Sequence, residues 1–235
     1  MKRLHGALVA LAAALASAAG PAAQAADAGH PVVVELFQSQ GCSSCPPANA
    51  NLIAAADRPE VLALSFGVTY WDQLGWKDTF AKAAFTDRQW DYAHARGHAN
   101  VFTPQVVVNG RADGVGADKN DFAALVRQGD RGDGGPSLNL APGAVSVGAA
   151  SAPAGGAEVL LVRYDPRTVQ VPIRRGENGG RTLPHRNVVK ELVRLGHWSG
   201  AAARFSLPPA SDPALKTAIL VQAGKAGPIL AAAKG

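Results

Sequence analysis

The sequence has few of the residues that usually reveal a protein's chemistry. Its 235 residues include only two cysteines, so any thiol chemistry depends on a single pair. A net charge of +5 without a block of Lys or Arg does not indicate a nucleic-acid partner. Neither Ser39 nor Ser65 is flanked by the glycines of a nucleophile elbow, so no Ser/His/Asp triad is indicated. After residue 25 no long apolar run follows, which argues against a membrane-spanning helix in the rest of the chain.

The first 25 residues have the organisation of a secretory signal peptide. Lys2 and Arg3 precede a short apolar stretch at residues 7–16, and Ala23 and Ala25 form an Ala-x-Ala cleavage motif. We therefore expect residues 1–25 to be removed and the mature protein to be periplasmic or secreted. It would contact a membrane only through this signal peptide during export. The alternative is an uncleaved anchor, although the apolar stretch is shorter than the about 20 residues that span a bilayer.

The first half of the mature chain alternates apolar strand-like runs with helical patterns, which predicts an α/β domain at residues 30–128. The sheet is expected to be mainly parallel, because helices separate the predicted strands. The predicted elements are strands at 32–37, 61–66 and 105–108 and helices at 48–56, 86–97 and 118–128. Asn109-Gly110 predicts a hairpin turn directly after the third strand.

Several aromatic residues are concentrated in the stretch from Tyr70 to Tyr92. We interpret them as the core of an inserted helical layer, and the alternative is a platform for a peptide or a sugar. His94 and His98 follow at a spacing that suits a metal ion on a continuous helix. Gly97 interrupts that helix, so a partly buried histidine is the better interpretation of His94.

The second half of the chain has different signals. Glycine and charge dominate residues 129–136, which predicts a linker that does not pack. Beyond it, short β-like runs between Gly/Pro turns predict a small all-β, sandwich-like domain at residues 137–235. Residues 187–195 also fit a helical stripe, and we predict a strand there. The basic, glycine-rich segment at 174–181 lacks the context of a phosphate loop, so it predicts a long, mobile hairpin connection.

The cysteine pair lies where a dithiol can be reactive. Cys42-Ser43-Ser44-Cys45 follows the first predicted strand, and Pro46-Pro47 then opens the first helix. Amides and the dipole at a helix start stabilise a thiolate. We expect Cys42 to be the more exposed cysteine and the nucleophile. Cys45 would then resolve the mixed disulfide.

A C-x-x-C motif at a helix start, followed by a proline just before a strand and hairpin, resembles the arrangement of thioredoxin-like proteins. Pro104 is the proline in question here. The resemblance implies a cis peptide bond at Pro104, with Thr103 and Pro104 beside Cys42 and holding a partner's backbone. Glu35 resembles the buried acid that assists proton transfer in thioredoxins. The alternative is a structural acid near the end of the sheet.

A second resemblance covers nearly all of the mature chain. The segment from Val33 to Pro47 is similar to the signature of exported bacterial proteins of the domain of unknown function 1223 family. The further matching motifs are Tyr70-Trp71-Asp72, Leu74-Gly75-Trp76-Lys77-Asp78, the run from Thr103 to Gly110 and Arg175-Gly176-Glu177-Asn178. The resemblance implies a thioredoxin-like fold but no established reaction.

These observations lead to a hypothesis of thiol–disulfide exchange with a protein or small-thiol partner. No cofactor and no resident metal are needed, because the dithiol itself carries two electrons. The main alternative is a non-catalytic periplasmic binding module in which one disulfide braces the turn. A copper site formed by Cys42, Cys45 and a histidine is a further alternative.

Overall fold

The computed structural model describes residues 25–235, and the predicted signal peptide therefore lies almost entirely outside the described residues. Three α-helices form in this part of the chain: α1 (Cys45–Ala55), α2 (Ala83–Ala95) and α3 (Lys119–Gly129). The strands are β1 (Val32–Gln38), β2 (Val61–Gly67), β3 (Gln105–Val108), β4 (Ala112–Gly114), β5 (Leu138–Ala141), β6 (Ala144–Val147), β7 (Ala157–Asp165), β8 (Val169–Pro172), β9 (Thr182–His185), β10 (Val188–Trp198), β11 (Ala203–Ser206), β12 (Lys216–Ala223) and β13 (Ile229–Lys234).

One large mixed sheet organises the molecule. Its eight strands have the order β13-β12-β7-β10-β2-β1-β3-β4. The pairs β1–β2 and β10–β2 are parallel, and the other pairs are antiparallel. A three-stranded sheet, β11-β6-β5, packs on the second-half strands through a cluster that includes Val145, Leu161 and Trp198. Strands β8 and β9 form a separate two-stranded hairpin.

The sequence predicts a thioredoxin-like α/β domain with a helical insertion, followed by a small all-β sandwich-like domain, and this fold class is wrong. The described residues are mostly β, because strands from both halves of the chain build the eight-stranded sheet. The junction is the parallel pairing of Val188 with Ser65. It covers the edge that β2 would otherwise expose, so the second half extends the first sheet. The predicted domain boundaries stay a prediction.

The segment predicted as an unpacked linker is packed in the structure. Gly129 ends α3 so close to β3 that an added Cβ would lie 2.5 Å from the Val108 side chain. Arg131 is buried and donates hydrogen bonds to the carbonyl oxygens of Pro31 and Gly132. The prediction that nothing packs at residues 129–136 is therefore wrong.

Most local predictions in the first half are confirmed. The apolar patterns correctly predict strands β1, β2 and β3 and helices α1 and α3. In the second half, β10 confirms the strand predicted at 187–195. Asn109 and Gly110 both have positive φ, at 47° and 61°, as a two-residue hairpin turn requires. Helix α2 begins at Ala83 rather than Thr86, because the Thr86 hydroxyl accepts from the Thr69 amide instead of capping the helix.

Both faces of β1 are buried, as its continuous apolar run predicts. Val34 and Leu36 point to the face covered by α1, and Val33 and Phe37 point to the face covered by α2. Burying each such side chain stabilises the fold by roughly 1.5–3 kcal/mol. Glu35 is the single charged residue in this strand. In the described part of the chain, no helix is long and apolar enough to cross a membrane.

Candidate functional site

The two cysteines form a disulfide at the start of α1. The Cys42 amide donates to Ser39 O at 3.1 Å, and the Cys45 amide donates to Cys42 O at 3.2 Å, which folds the chain into a tight turn. Pro46 and Pro47 lie in the first helical turn, where the amides that they lack would have no helical partner. We call residues 42–45 the disulfide turn.

Hydroxyl groups surround the sulfur of Cys42. Thr103 donates its hydroxyl hydrogen to Cys42 Sγ at 3.4 Å, and Ser44 Oγ lies 3.3 Å from the same sulfur. The indole N–H of Trp71 donates to Thr103 Oγ1 at 2.7 Å, which leaves the threonine hydrogen free to point at the sulfur. Within residues 25–235, no hydrogen bond reaches the sulfur of Cys45. The surroundings of the two sulfurs therefore differ.

The Thr103–Pro104 peptide bond is cis, as the resemblance to thioredoxin-like proteins implies. The hydrogen bond from Thr103 places this dipeptide beside Cys42. Its role in holding a partner's backbone stays a prediction.

A loop from the second half of the chain folds over the disulfide turn. This covering loop, residues 174–181, connects β8 to β9. Asn178 is fully buried and donates both amide hydrogens to backbone carbonyls, to Gln40 O at 2.9 Å and to Cys42 O at 2.8 Å. One carboxylate oxygen of Glu177 accepts from Ser43 twice, at 3.0 Å from its amide and 2.6 Å from its hydroxyl.

The sequence predicts only a long hairpin connection at 174–181, so its contact with the cysteines was missed. The Arg175-Gly176-Glu177-Asn178 motif was the available signal, because it belongs to the family resemblance. Its position about 135 residues after Cys42 gave no indication of where the loop would lie, since sequence separation does not report distance in the fold.

Both cysteines are enclosed. Cys42 has 0% of its surface exposed and Cys45 has 1%. The expectation that Cys42 is the more exposed residue is therefore wrong. Its physical reason is the covering loop on one side and the contact with Thr103 on the other. A reagent can reach the sulfur only after one of these contacts opens.

A third group of contacts fixes the chain just before the disulfide turn. Asp78 is buried, and its carboxylate accepts from the Gln40 amide at 2.7 Å. Burial raises the pKa of Asp78, against hydrogen bonds from backbone amides that lower it. Gln40 in turn accepts from the Trp76 indole at 2.9 Å. Two of the aromatic residues that the sequence predicts as core, Trp71 and Trp76, are thus half-buried beside the turn.

Glu35 lies on the face of β1 opposite α1. Its carboxylate accepts from Arg88 at 2.7 and 3.0 Å and receives the hydroxyl hydrogen of Tyr92. Gln222 of β12 donates to the Tyr92 oxygen at 2.9 Å. Desolvation by burial raises the pKa of Tyr92 far above its ordinary value. No hydrogen bond joins Glu35 to either cysteine, and its part in proton transfer stays a prediction.

His94 is exposed, so the interpretation of a partly buried histidine is wrong. The ring of His94 lies 5.4 Å from the ring of Trp90. His98 contacts Asp113 at 3.0 Å, and Arg96 binds the other oxygen of the same carboxylate. Across residues 25–235, no group of three or more His, Cys, Asp or Glu side chains is placed to hold a metal ion.

Comparison with known proteins identifies the family. The model of a family described as "Protein of unknown function (DUF1223)" matches residues 33–222. The chain belongs to the DUF1223 family. This match confirms the second resemblance, whereas export and a thioredoxin-like character are not part of what it establishes.

A crystal structure of a protein from Agrobacterium tumefaciens is similar to this DUF1223 protein. The two chains are 31% identical, with a TM-score of 0.72, and the similarity covers 90% of this chain and 95% of the other. No curated protein matches the chain.

Proposed function

We propose that this DUF1223 protein exchanges disulfides with a protein or small-thiol partner through Cys42 and Cys45. The observation that carries the proposal is the asymmetry between the two sulfurs. Two hydroxyl groups lie within 3.4 Å of Cys42 Sγ, at the start of a helix. Hydrogen bonds to a thiolate favour its charged form, so Cys42 is the better leaving group and nucleophile. A disulfide that only braces a turn does not require the hydrogen bond that Thr103 donates to Cys42.

The exchange is a balanced two-electron reaction. In the reduced protein, the Cys42 thiolate attacks a partner disulfide, and one partner thiolate leaves. Cys45 then loses its proton and attacks the Cys42 sulfur of the mixed disulfide, which releases the second partner thiolate. The partner is reduced by two electrons and the Cys42–Cys45 disulfide forms. The reverse sequence oxidises a dithiol partner.

Thr103 and Pro104 contribute to the proposed site through their position. A partner that forms a mixed disulfide with Cys42 must approach the surface on which Thr103 lies. We also keep the proposal that residues 1–25 direct export to the periplasm or beyond, where disulfides persist.

A structural brace in a non-catalytic binding module is the second candidate function. The enclosure of Cys42, which has no exposed surface, favours it. Thiol–disulfide exchange is compatible with this enclosure only if the covering loop moves. The two hydrogen bonds that Asn178 of this loop donates to Gln40 and Cys42 contribute about 0.5–1.5 kcal/mol net each.

The experiment compares Cys42→Ser with Cys45→Ser in the purified protein, with a fluorogenic disulfide peptide as substrate. Cys42→Ser is expected to abolish turnover. Cys45→Ser is expected to retain the attacking thiol and to accumulate a mixed disulfide with the peptide, visible by mass spectrometry. Circular dichroism checks that both variants fold.

A different outcome would replace exchange by the brace. If the wild-type disulfide resists reduced glutathione and Cys45→Ser forms no mixed disulfide, the proposed exchange is wrong.

A further inference from the structure

We propose that Glu177 is a positioning residue that restrains this same cysteine pair. Its carboxylate holds the covering loop on the disulfide turn and places a negative charge that disfavours the Cys42 thiolate. This role rests on the proposed exchange, because a restraint has a function only if the pair reacts.

The geometry at Ser43 supports the first part of the proposal, that Glu177 holds the covering loop on the disulfide turn. Ser43 lies between the two cysteines, and its amide and hydroxyl both donate to one oxygen of Glu177, at 3.0 and 2.6 Å. Glu177 and Ser43 are exposed, so this contact lies at the outer surface of the site. The two hydrogen bonds hold the pKa of Glu177 below its ordinary value, which keeps the carboxylate charged at neutral pH.

Asn178 anchors the loop beneath this contact. Its amide is buried against the carbonyl oxygens of Gln40 and Cys42, and Arg181 donates to its side-chain oxygen at 2.6 Å. The loop is therefore attached by a buried neutral residue and by an exposed charged one. An approaching partner reaches the charged contact first, so Glu177 is the contact that a partner can displace.

The negative charge of Glu177 supports the second part of the proposal, that the Cys42 thiolate is disfavoured. An amide at a helix start stabilises a nearby thiolate, and here the Ser43 amide is already occupied by a carboxylate. A like charge next to a thiol raises its pKa. Arg181 is linked to this region through Asn178, and Asp78 is linked to it through Gln40. The covering loop also contains the exposed cations Arg174 and Arg175. None of these four groups donates to or accepts from Ser43, so Glu177 is the charged group bound directly to the turn.

The test replaces Glu177 by Gln and compares it with Glu191→Gln. Glu191 is a matched control, because its carboxylate also accepts from the amide and hydroxyl of one serine, Ser211, away from the cysteines. In the reduced proteins, the rate of alkylation of Cys42 by iodoacetamide is measured from pH 5 to 10. We expect Glu177→Gln to lower the thiol pKa of Cys42 and to raise the rate at pH 7 about threefold, since removing a like charge favours the thiolate.

The salt dependence distinguishes the electrostatic effect of Glu177 from the steric effect of the covering loop. At 1 M ionic strength the Debye length falls to about 3 Å, so the difference between wild type and Glu177→Gln should shrink. In the Asn178→Ala variant, in contrast, dithiothreitol is expected to reduce the Cys42–Cys45 disulfide faster than in wild type, at all salt concentrations. If Asn178→Ala does not fold, the alkylation profile of Glu177→Gln decides the result.

Each outcome has a defined meaning. Equal thiol pKa values and equal alkylation rates in wild type and Glu177→Gln would overturn the role of Glu177. An unchanged rate in Glu191→Gln together with the shift in Glu177→Gln supports it. Failure of the proposed exchange has a different signature, namely no mixed disulfide in Cys45→Ser, whatever the thiol pKa.

Discussion

The two faces of β1 carry buried polar groups that are stabilised in different ways. On the α2 face, the charges of Glu35 and Arg88 are paired inside the core, with Tyr92 and Gln222 completing the hydrogen bonds. At the start of α1, on the other face, an uncharged disulfide is surrounded by hydroxyl groups and covered by a loop. Both regions are enclosed, but the paired charges of the first are buried in the core, whereas Glu177, the carboxylate bound to the disulfide turn, is exposed.

This difference indicates which region can open. Separating a buried ion pair leaves an unpaired charge in the core, and removing one partner costs about 3–5 kcal/mol. Lifting the covering loop leaves the charge of Glu177 in solvent, where it already lies, and breaks the two hydrogen bonds of the neutral Asn178, of about 0.5–1.5 kcal/mol each. We therefore interpret the Glu35–Arg88 pair as a permanent part of the core and the disulfide turn as the region that can open.

The largest expected effect comes from breaking the ion pair. Arg88→Ala is expected to lower the free energy of unfolding by about 3–5 kcal/mol, because Glu35 stays buried without its partner. Urea denaturation followed by circular dichroism measures the change. The double variant Glu35→Leu with Arg88→Leu is the control and should lose less than the sum of the single variants. A loss below about 1 kcal/mol for Arg88→Ala would contradict the assignment of a permanent pair.

An intermediate effect is expected when acid lowers the stability of the protein through His185, in strand β9 after the covering loop. His185 is buried against Phe80, and its burial lowers its pKa to about 4. The unfolded chain binds a proton below its ordinary pKa of 6.5, whereas the folded protein does so only near pH 4. Stability is therefore complete above pH 6.5 and falls as the pH drops toward 4, by about 2 kcal/mol at pH 5.

The measurement compares wild type with His185→Phe. The free energy of unfolding is determined at pH 7 and pH 5 for both proteins. Between these two pH values, it should fall by about 2 kcal/mol less in the variant than in wild type. Other groups titrate equally in the two proteins and cancel in the difference. An identical decrease would show that His185 is not buried in its neutral form.

A still smaller effect is expected from removing the Thr103 hydroxyl, which donates to the sulfur of Cys42. Thr103→Val keeps the shape of the side chain but removes the donor to the sulfur, so the thiol pKa of Cys42 should rise in the reduced protein and its alkylation at pH 7 should slow about threefold. The alkylation profile against pH measures this change. Thr86→Val removes a hydroxyl that pairs with Thr69 away from the cysteines, and it should leave the profile unchanged. Equal profiles in all three proteins would remove the main support for the exchange proposal.

Local structure was predictable where nearby residues decide it. The apolar runs of β1 and β2 predict buried strands because both faces of each strand are covered. Asn109-Gly110 predicts its turn because both residues tolerate positive φ. The predicted start of the second helix at residue 86 is wrong: α2 begins at Ala83, and the Thr86 hydroxyl accepts from the amide of Thr69, 17 residues away. Predictions from short patterns fail when a distant residue competes for the same group.

The cysteine pair, its turn, the helix that follows and the buried strands beside it could be predicted from the sequence alone, since these depend on conformational preferences and apolar spacing over a few residues. The pairing of β10 with β2 and the enclosure of Cys42 by the covering loop are visible only in the folded molecule. The alternation of apolar residues reports which face of a strand is buried but not which strand lies next to it. Strand pairing and loop docking depend on contacts more than 100 residues apart, which no local pattern specifies.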